Sequence, residues 1–438
     1  GRFRSLDDNL AATISQLADN AFAQTASFAL VAIPMFLLMG ELFFHSGLGT
    51  RMFDAIDRLL GGIPGRLCYV AVAGGTGFAA LSGSSMASTA ILGKLMIPEM
   101  TTRGYERRMA IGPVLGTGAL AVLIPPSTFG VLLGTMANLD IARLLIAGIL
   151  PGLLLAAIYV GLILFQVTSN PDRAPLYDMP VISLSTKIGL FAANVLPMVS
   201  IIAAVVFLMM MGVATAAESA AYGAAAVFVL YAVYELAVPA IRLVTSKDLQ
   251  ARSDSHARIT AFRRGVGRVT LRSLEGSARI TVLSLLIVFG SALYGNVMAA
   301  SGASENLVRW ALSLETSPYA LLGMMIFILL FLGAFMDELA VMLLTVPLFF
   351  PTMAGLDFGM PDFMQPIWFG TIVLVTLQIG FVAPPLGMLI FVMQGVAPAG
   401  TTYWDICRAV MPYIYCMLLL VALIIIFPQI ALWLPFSY

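Results

Sequence analysis

The chain has 438 residues, of which 60% are hydrophobic and only 11% charged, with 23 Lys and Arg balancing 23 Asp and Glu. A mean hydropathy of +0.97 excludes an ordinary soluble domain, in which about a quarter of residues carry charge, and the balanced charge gives no basis for a nucleic-acid partner. Most of this chain has lipid as its solvent, and the class is an all-α polytopic membrane protein.

The chain starts at Gly1-Arg2-Phe3 with neither an initiator Met nor a charged-then-apolar leader, which predicts a processed or missing N-terminal portion and a helix lost with it. One span takes about 20 apolar residues, and the first apolar run covers 26–44. The second, 67–100, is too long for one crossing and too short for two. It is flanked by Arg51, Arg58 and Arg66 on one side and by Arg103, Arg107 and Arg108 on the other. Both ends therefore belong on the cytoplasmic side, and the run is predicted to be a re-entrant helical hairpin broken at Ser82-Gly83-Ser84-Ser85. Non-helical backbone at that depth must be buried in protein or line a cavity.

Run 109–137 is interrupted by Ile124-Pro125-Pro126-Ser127. Adjacent prolines remove two backbone donors, so two half-helices around an unwound joint are predicted. Runs 144–166, 188–211 and 213–239 then cross in turn. The stretch 242–279 carries nine Lys and Arg against three acids and reads as a cytoplasmic connector that touches anionic headgroups. After a crossing at 280–300 comes run 318–353, flanked by Glu315, Asp357 and Asp362 instead of by cations. It reads as a second hairpin, entered from outside and broken between Gly333 and Asp337-Glu338. Run 366–396 is again interrupted by a proline pair, Ala383-Pro384-Pro385-Leu386, and 411–436 closes the chain. Matched order with opposite flanking charge predicts an inverted repeat. Arg143 and Arg309 fall on the side the rule disfavours.

The breaks are the place for chemistry. Half-helix N-termini offer unpaired N–H groups and a positive dipole end to a carboxylate, while unwound carbonyls and hydroxyls suit a hard cation such as sodium. Ser82, Ser84, Ser85, Ser88 and Thr89 form the densest hydroxyl cluster, although such residues also serve helix packing. Asp337 and Glu338 are the carboxylates inside the second hairpin, and charge at that depth is costly unless paired or ion-bound. Asp337 is favoured over Glu338, with a helix cap as its alternative role. Thr215 and Glu218 have capping-box spacing. Gln378 and Gln394 read as cross-links between helices, and Cys68, Cys407 and Cys416 as buried small hydrophobes. His45 and His256 have no neighbours in sequence that suggest a relay or a metal.

These residues resemble a known family, the large membrane subunit of tripartite ATP-independent periplasmic (TRAP) transporters, DctM-like. The resemblance rests on Ile33-Pro34-Met35-Phe36 with Gly40, Leu81 to Ala90 leading to Pro98-Glu99-Met100, and Arg103-Gly104-Tyr105. It continues through Ile124 to Ser127, Ala147 to Gly152, Ala214 to Gly223, Phe335-Met336-Asp337, Ile379 to Gly387 and Phe427-Pro428-Gln429.

What the resemblance implies is a secondary active transporter that imports an organic acid by sodium symport, with an elevator mechanism. Its transport domain comprises 67–166 and 318–438, and its scaffold 1–66 and 167–317, the latter with the basic connector 240–279. Sodium, at two or more sites, carries over mostly as backbone carbonyls to Ser82, Gly83, Ser85, Ile124 and Pro125, and to Gly333, Asp337 and Pro384. Substrate carries over to Ser84, Ser127, Thr128 and Gly387. No organic cofactor is implied. The partners implied are a small four-helix membrane subunit of Q type and a periplasmic substrate-binding protein of P type, in the bacterial inner membrane. The competing readings are a stand-alone carboxylate/sodium symporter, a sodium/proton antiporter and, remotely, an integral-membrane enzyme. The last lacks a His, Cys or paired-acid constellation at an interface, so the chain is not read as an enzyme.

Overall fold

A computed structural model describes residue 15 and residues 28–175, 183–237, 249–313 and 316–437. The expected segment before residue 28, Arg242 and Glu315 fall outside these residues, as does the side chain of Ser82. Among the described residues every regular element is helical. Helices α1 (Ala32–His45) and α2 (Leu48–Leu60) meet at a bend of 65°. They are followed by α3 (Arg66–Ser82), α4 (Ser85–Thr102), α5 (Arg107–Ala119), α6 (Thr128–Met136), α7 (Ile141–Ala147) and α8 (Ile149–Ser169). Next come α9 (Leu184–Met210), which contains a π turn at Phe191–Val195, then α10 (Ala216–Ala232), α11 (Leu249–Ala300) and α12 (Ala303–Ser313). The last part holds α13 (Pro318–Gly333), α14 (Glu338–Ala354), α15 (Gln365–Val382), α16 (Met388–Gln394) and α17 (Tyr403–Ile426).

Six of the described helices are long and apolar enough to cross a membrane, or seven if α1 and α2 make one span, while α3, α13 and α14 are shorter apolar helices. The basic stretch expected as a connector is helical from Leu249 onward and runs without a break into the apolar run at 280, forming the single helix α11.

Pair α3–α4 doubles back on itself. Gly75 and Leu92 lie at matching distances from the break, and a Cβ on Gly75 would sit 3.0 Å from Leu92 Cδ1. The turn needs a left-handed residue, and Gly83 supplies φ +59°. Its N–H donates to Ala79 O, which closes α3, while Ser84 Oγ accepts from Ala87 N at 3.3 Å and opens α4. Pair α13–α14 also folds back, since Tyr319 near its start meets Phe358 just beyond its end with ring centroids 5.2 Å apart. Asp337 caps α14 by accepting from Leu339 N at 3.0 Å.

Both proline pairs break their helices as expected. After α5 a short 3-10 turn (Leu120–Val122) leads into irregular backbone up to Ser127, whose Oγ caps α6 by accepting from Gly130 N at 3.1 Å. Between α15 and α16 the irregular stretch is 383–387. A cis peptide joins Pro125 to Pro126 and another joins Pro384 to Pro385.

The core sits on these two broken helices. Every residue of α15 except Pro366 is buried, and α5 is buried from Met109 to Ala119. α5 packs against α3, α4 and α17, and α15 packs against α13, α14 and α17. Trp368 on α15 donates its indole N–H to Ile424 O of α17 at 2.9 Å. To one side, α1 lies between α10 and α11.

Candidate functional site

The four breaks converge in two pairs. At the first, a Cβ on Gly83 would stand 3.2 Å from Thr128 Oγ1 and 3.3 Å from Pro126 O, so the tip of α3–α4 rests on the proline break of α5–α6. At the second, Leu386 N donates to Ala334 O at 3.1 Å, and the backbones of Gly333 and Gly380 touch so closely that a Cβ on Gly380 would lie 2.7 Å from Gly333 Cα. The tip of α13–α14 thus rests on the proline break of α15–α16. Gly387 N closes that break by donating to Ala383 O at 3.0 Å, and the Tyr403 hydroxyl donates to Pro385 O.

One polar chain joins the two tips. Ser85 Oγ donates to Gln378 Oε1 at 3.1 Å, and Gln378 Nε2 donates to Glu338 Oε2 at 2.5 Å. Gln378 belongs to α15, so a broken helix bridges the first residue of α4 and the first residue of α14. Ser85, Gln378 and Glu338 are 1%, 1% and 2% exposed, which takes the whole chain out of water. Glu338 Oε1 and Thr128 Oγ1 are also buried, with no hydrogen-bond partner among the described residues.

Between the tips lies a cavity of about 380 Å³. Gly83, Ser84, Ser85 and Met86 reach it from the first tip, Asp337, Glu338 and Leu339 from the second, and Thr128, Phe129 and Leu132 from α6. Leu37 of α1, Phe381 of α15 and one face of α11 at Ile280, Leu283, Ser284 and Ile287 complete the wall. Helices α4, α6 and α14 all begin at this cavity, so three positive dipole ends and their free N–H groups converge on it. An anion of small-molecule size fits that electrostatic frame. Among the described residues no group of three or more His, Cys, Asp or Glu side chains is placed to hold a metal ion.

Of the residues singled out by sequence, Gly83, Ser84, Ser85, Thr128 and Asp337 line the cavity. Ser127 lies behind it as the cap of α6, and Ser82 ends α3. Ile124 and Pro125 form the first break, where a Cβ on Gly152 of α8 would meet Ile124 Cγ1 at 2.5 Å. Gly333, Pro384 and Gly387 belong to the second tip and the second break. Of the two acids, Asp337 caps α14 from a half-buried position, and Glu338 carries the buried, bridged carboxylate. Thr215 and Glu218 form the capping box of α10, away from the cavity. His45 packs on Glu41, with Nδ1 3.3 Å from its carboxylate.

The family model for the DctM component of the tripartite ATP-independent periplasmic transporter matches residues 7–430. The chain belongs to this family. It is a transporter subunit and not an enzyme. A C4-dicarboxylate TRAP transporter large permease protein DctM of Pseudomonas aeruginosa is 29% identical over 430 residues, covering 97% of this chain and 90% of that protein. The sialic acid TRAP transporter large permease protein SiaM of Vibrio cholerae is 27% identical, covering 93% of this chain and 86% of that one. An isethionate TRAP transporter permease protein DctMQ of Oleidesulfovibrio alaskensis is 29% identical; 96% of this chain aligns with 60% of that longer protein. In fold, the chain is similar to the Alcanivorax borkumensis YdaH transporter (TM-score 0.54, 14% identity, 98% of this chain and 90% of that one) and to Neisseria gonorrhoeae MtrF (TM-score 0.55, 14% identity, 96% and 85%).

Proposed function

We propose that this TRAP large permease imports an organic carboxylate across the bacterial inner membrane by sodium symport, taking it from a periplasmic binding protein and working with a small membrane subunit. The observation that carries the reading is the cavity of about 380 Å³ onto which three helix N-termini open. The relatives reported above are named for C4-dicarboxylate, sialic acid and isethionate, all organic anions. Support for a small membrane subunit comes from the longer isethionate permease, which has room for a fused partner.

In this reading the two helical pairs are re-entrant hairpins of an inverted repeat. The substrate carboxylate takes the N–H groups and hydroxyls at Ser84 and Thr128, beside the Ser127 cap and across from the Gly387 break. Sodium takes carbonyl and hydroxyl oxygens at the first tip and break (Ser82, Gly83, Ser85, Ile124, Pro125) and at the second (Gly333, Asp337, Pro384). Both sets of ligands lie on hairpin tips that rest on broken helices, so filling a cation site stiffens the wall of the substrate site, a physical route to coupling. The hairpins, α5–α6 and α15–α16 move together as an elevator against α1, α9, α10 and α11.

The test is uptake into proteoliposomes holding this chain and its small partner, with the cognate binding protein outside and an imposed sodium gradient. The expected result is uptake that requires both sodium and binding protein and falls at least tenfold in Asp337→Ala and Ser85→Ala. Uptake without a binding protein would make the chain a stand-alone symporter, and indifference to sodium would remove the coupling.

A further inference from the structure

Two more cavities follow the central one along α4. The first, of about 330 Å³, begins at Ala87, the residue after Met86 of the central cavity, and at Glu41, one turn beyond Leu37. It extends past Ala90 and Ile91 to Lys94 and Leu95. The second, of about 410 Å³, shares Thr50 and Leu95 with the first and ends among the carboxylates of Asp54, Asp57 and Glu99 and the guanidinium groups of Arg58 and Arg103. Successive turns of α4 therefore line successive cavities, from the hairpin tip to the end of the molecule where these charges of both signs gather.

Lys94 stands in the middle of this row. It lies about 13 Å along α4 from Ser85 at the helical rise of 1.5 Å per residue, inside a segment of otherwise apolar character. It is exposed to the cavity space, and it has no hydrogen bond or ion pair among the described residues. Of the other charges nearby, Glu41 pairs with His45, Arg103 with Glu99, and Arg66 with Asp57 at 2.8 Å, while Asp54 and Arg58 stand exposed at the second cavity. A lone ammonium within an apolar segment is expensive in a membrane unless something anionic visits it or its stem carries it to the headgroups.

We propose that the row of cavities is the route by which a carboxylate leaves the central cavity for the cytoplasm, and that Lys94 is an anion-binding residue on that route. The inference rests on the reading of the central cavity as a carboxylate site. An ammonium on a flexible four-carbon stem suits the task, because it follows a moving anion without the bidentate grip of a guanidinium. A way-station must attract its passenger and release it.

The test needs neither substrate nor sodium. In membrane vesicles carrying the full chain, Ala90→Cys and Ile91→Cys, each one turn from Lys94 on the same helix face, are treated with water-soluble methanethiosulfonates. One reagent bears a sulfonate and the other a trimethylammonium group. Both positions are expected to react from the cytoplasmic side, and the anionic reagent should be favoured by about tenfold relative to its reaction with a free thiol, the size of one nearby charge at intermediate dielectric. Lys94→Gln should bring the ratio to about one, and Lys94→Arg should keep it. Absence of labelling from either side would mean that Lys94 reaches lipid headgroups instead, and labelling from the periplasmic side alone would overturn the exit route. A ratio unmoved by Lys94→Gln would overturn the anion site. Failure of sodium-dependent uptake beside a positive labelling result would strike the transport coupling and leave the route standing.

Discussion

At the scale of single residues, Gln378 is the member of the site with most to lose. Its amide is the bridge between Ser85 and Glu338, and all three are buried. Gln378→Leu keeps the volume but strands a hydroxyl and a carboxylate, and is expected to cost about 2–4 kcal/mol, the penalty for unpaired buried polar groups. Glu338→Gln keeps the shape of the side chain and an acceptor for the Gln378 amide, so a cost of about 1 kcal/mol or less is expected. Thermal melting of the purified chain in detergent ranks the two, and equal melting points would mean that the bridge is dispensable. Part of this site was legible in sequence. Ser84, Ser85 and Asp337 stand out because hydroxyls and carboxylates are scarce in long apolar runs. The pairing of Ser85 with Gln378 was not, because 293 positions separate the partners and no local spacing encodes the meeting. The same holds for the inward turn of Glu338 beside the Asp337 cap. Adjacent residues at a helix start point in different directions, and which one turns inward depends on how the hairpin seats against α15.

At the scale of elements, the two tip contacts rest on glycine. Gly333 and Gly380 cross backbone to backbone, and a methyl on Gly380 would lie 2.7 Å from Gly333 Cα, where neither chain has a side chain to swing aside. Gly380→Ala is therefore expected to lift the second hairpin from its broken helix at a cost of about 2–3 kcal/mol, with uptake lost in proportion. Gly323→Ala is the control, because that glycine in α13 has nothing within 4 Å of an added Cβ; there the change should be neutral or mildly stabilising. Equal damage at both sites would mean that helix flexibility, and not the crossing, is what Gly380 provides. The turn-backs and broken helices could be anticipated because prolines and glycines act locally. Helix α11 could not. Its N-terminal half is rich in arginine and looks like a loop by composition, yet it has no internal proline and is continuous with an apolar span. Helix propensity, which disfavours neither Arg nor Ala, carried the helix through the change of surroundings.

At the scale of the whole molecule, the central cavity has two kinds of wall. Hairpin tips and broken helices form one, packed on each other through the Gly83–Pro126 and Ala334–Leu386 contacts. The other is α1 and α11, which pack on each other and present Leu37, Ile280, Leu283, Ser284 and Ile287. Contacts within the first wall include buried polar bonds, whereas α11 meets the cavity mostly through aliphatic side chains. A surface of that kind slides with little cost in lost hydrogen bonds, which is what an elevator requires of the boundary between its moving and fixed parts. Linking the two walls should then stop transport, and linking one wall to itself should not. Leu283→Cys with Phe129→Cys joins α11 to α6 across the cavity. Bridged by a bifunctional thiol reagent about 10 Å long, this pair is expected to abolish uptake in proteoliposomes, with recovery when the bridge is cleaved. Tyr319→Cys with Phe358→Cys, whose native rings lie 5.2 Å apart within the second hairpin, should cross-link with uptake preserved. Uptake that survives the first bridge would mean that the substrate passes without relative movement of the two walls, and the elevator would have to give way to local opening of the tips.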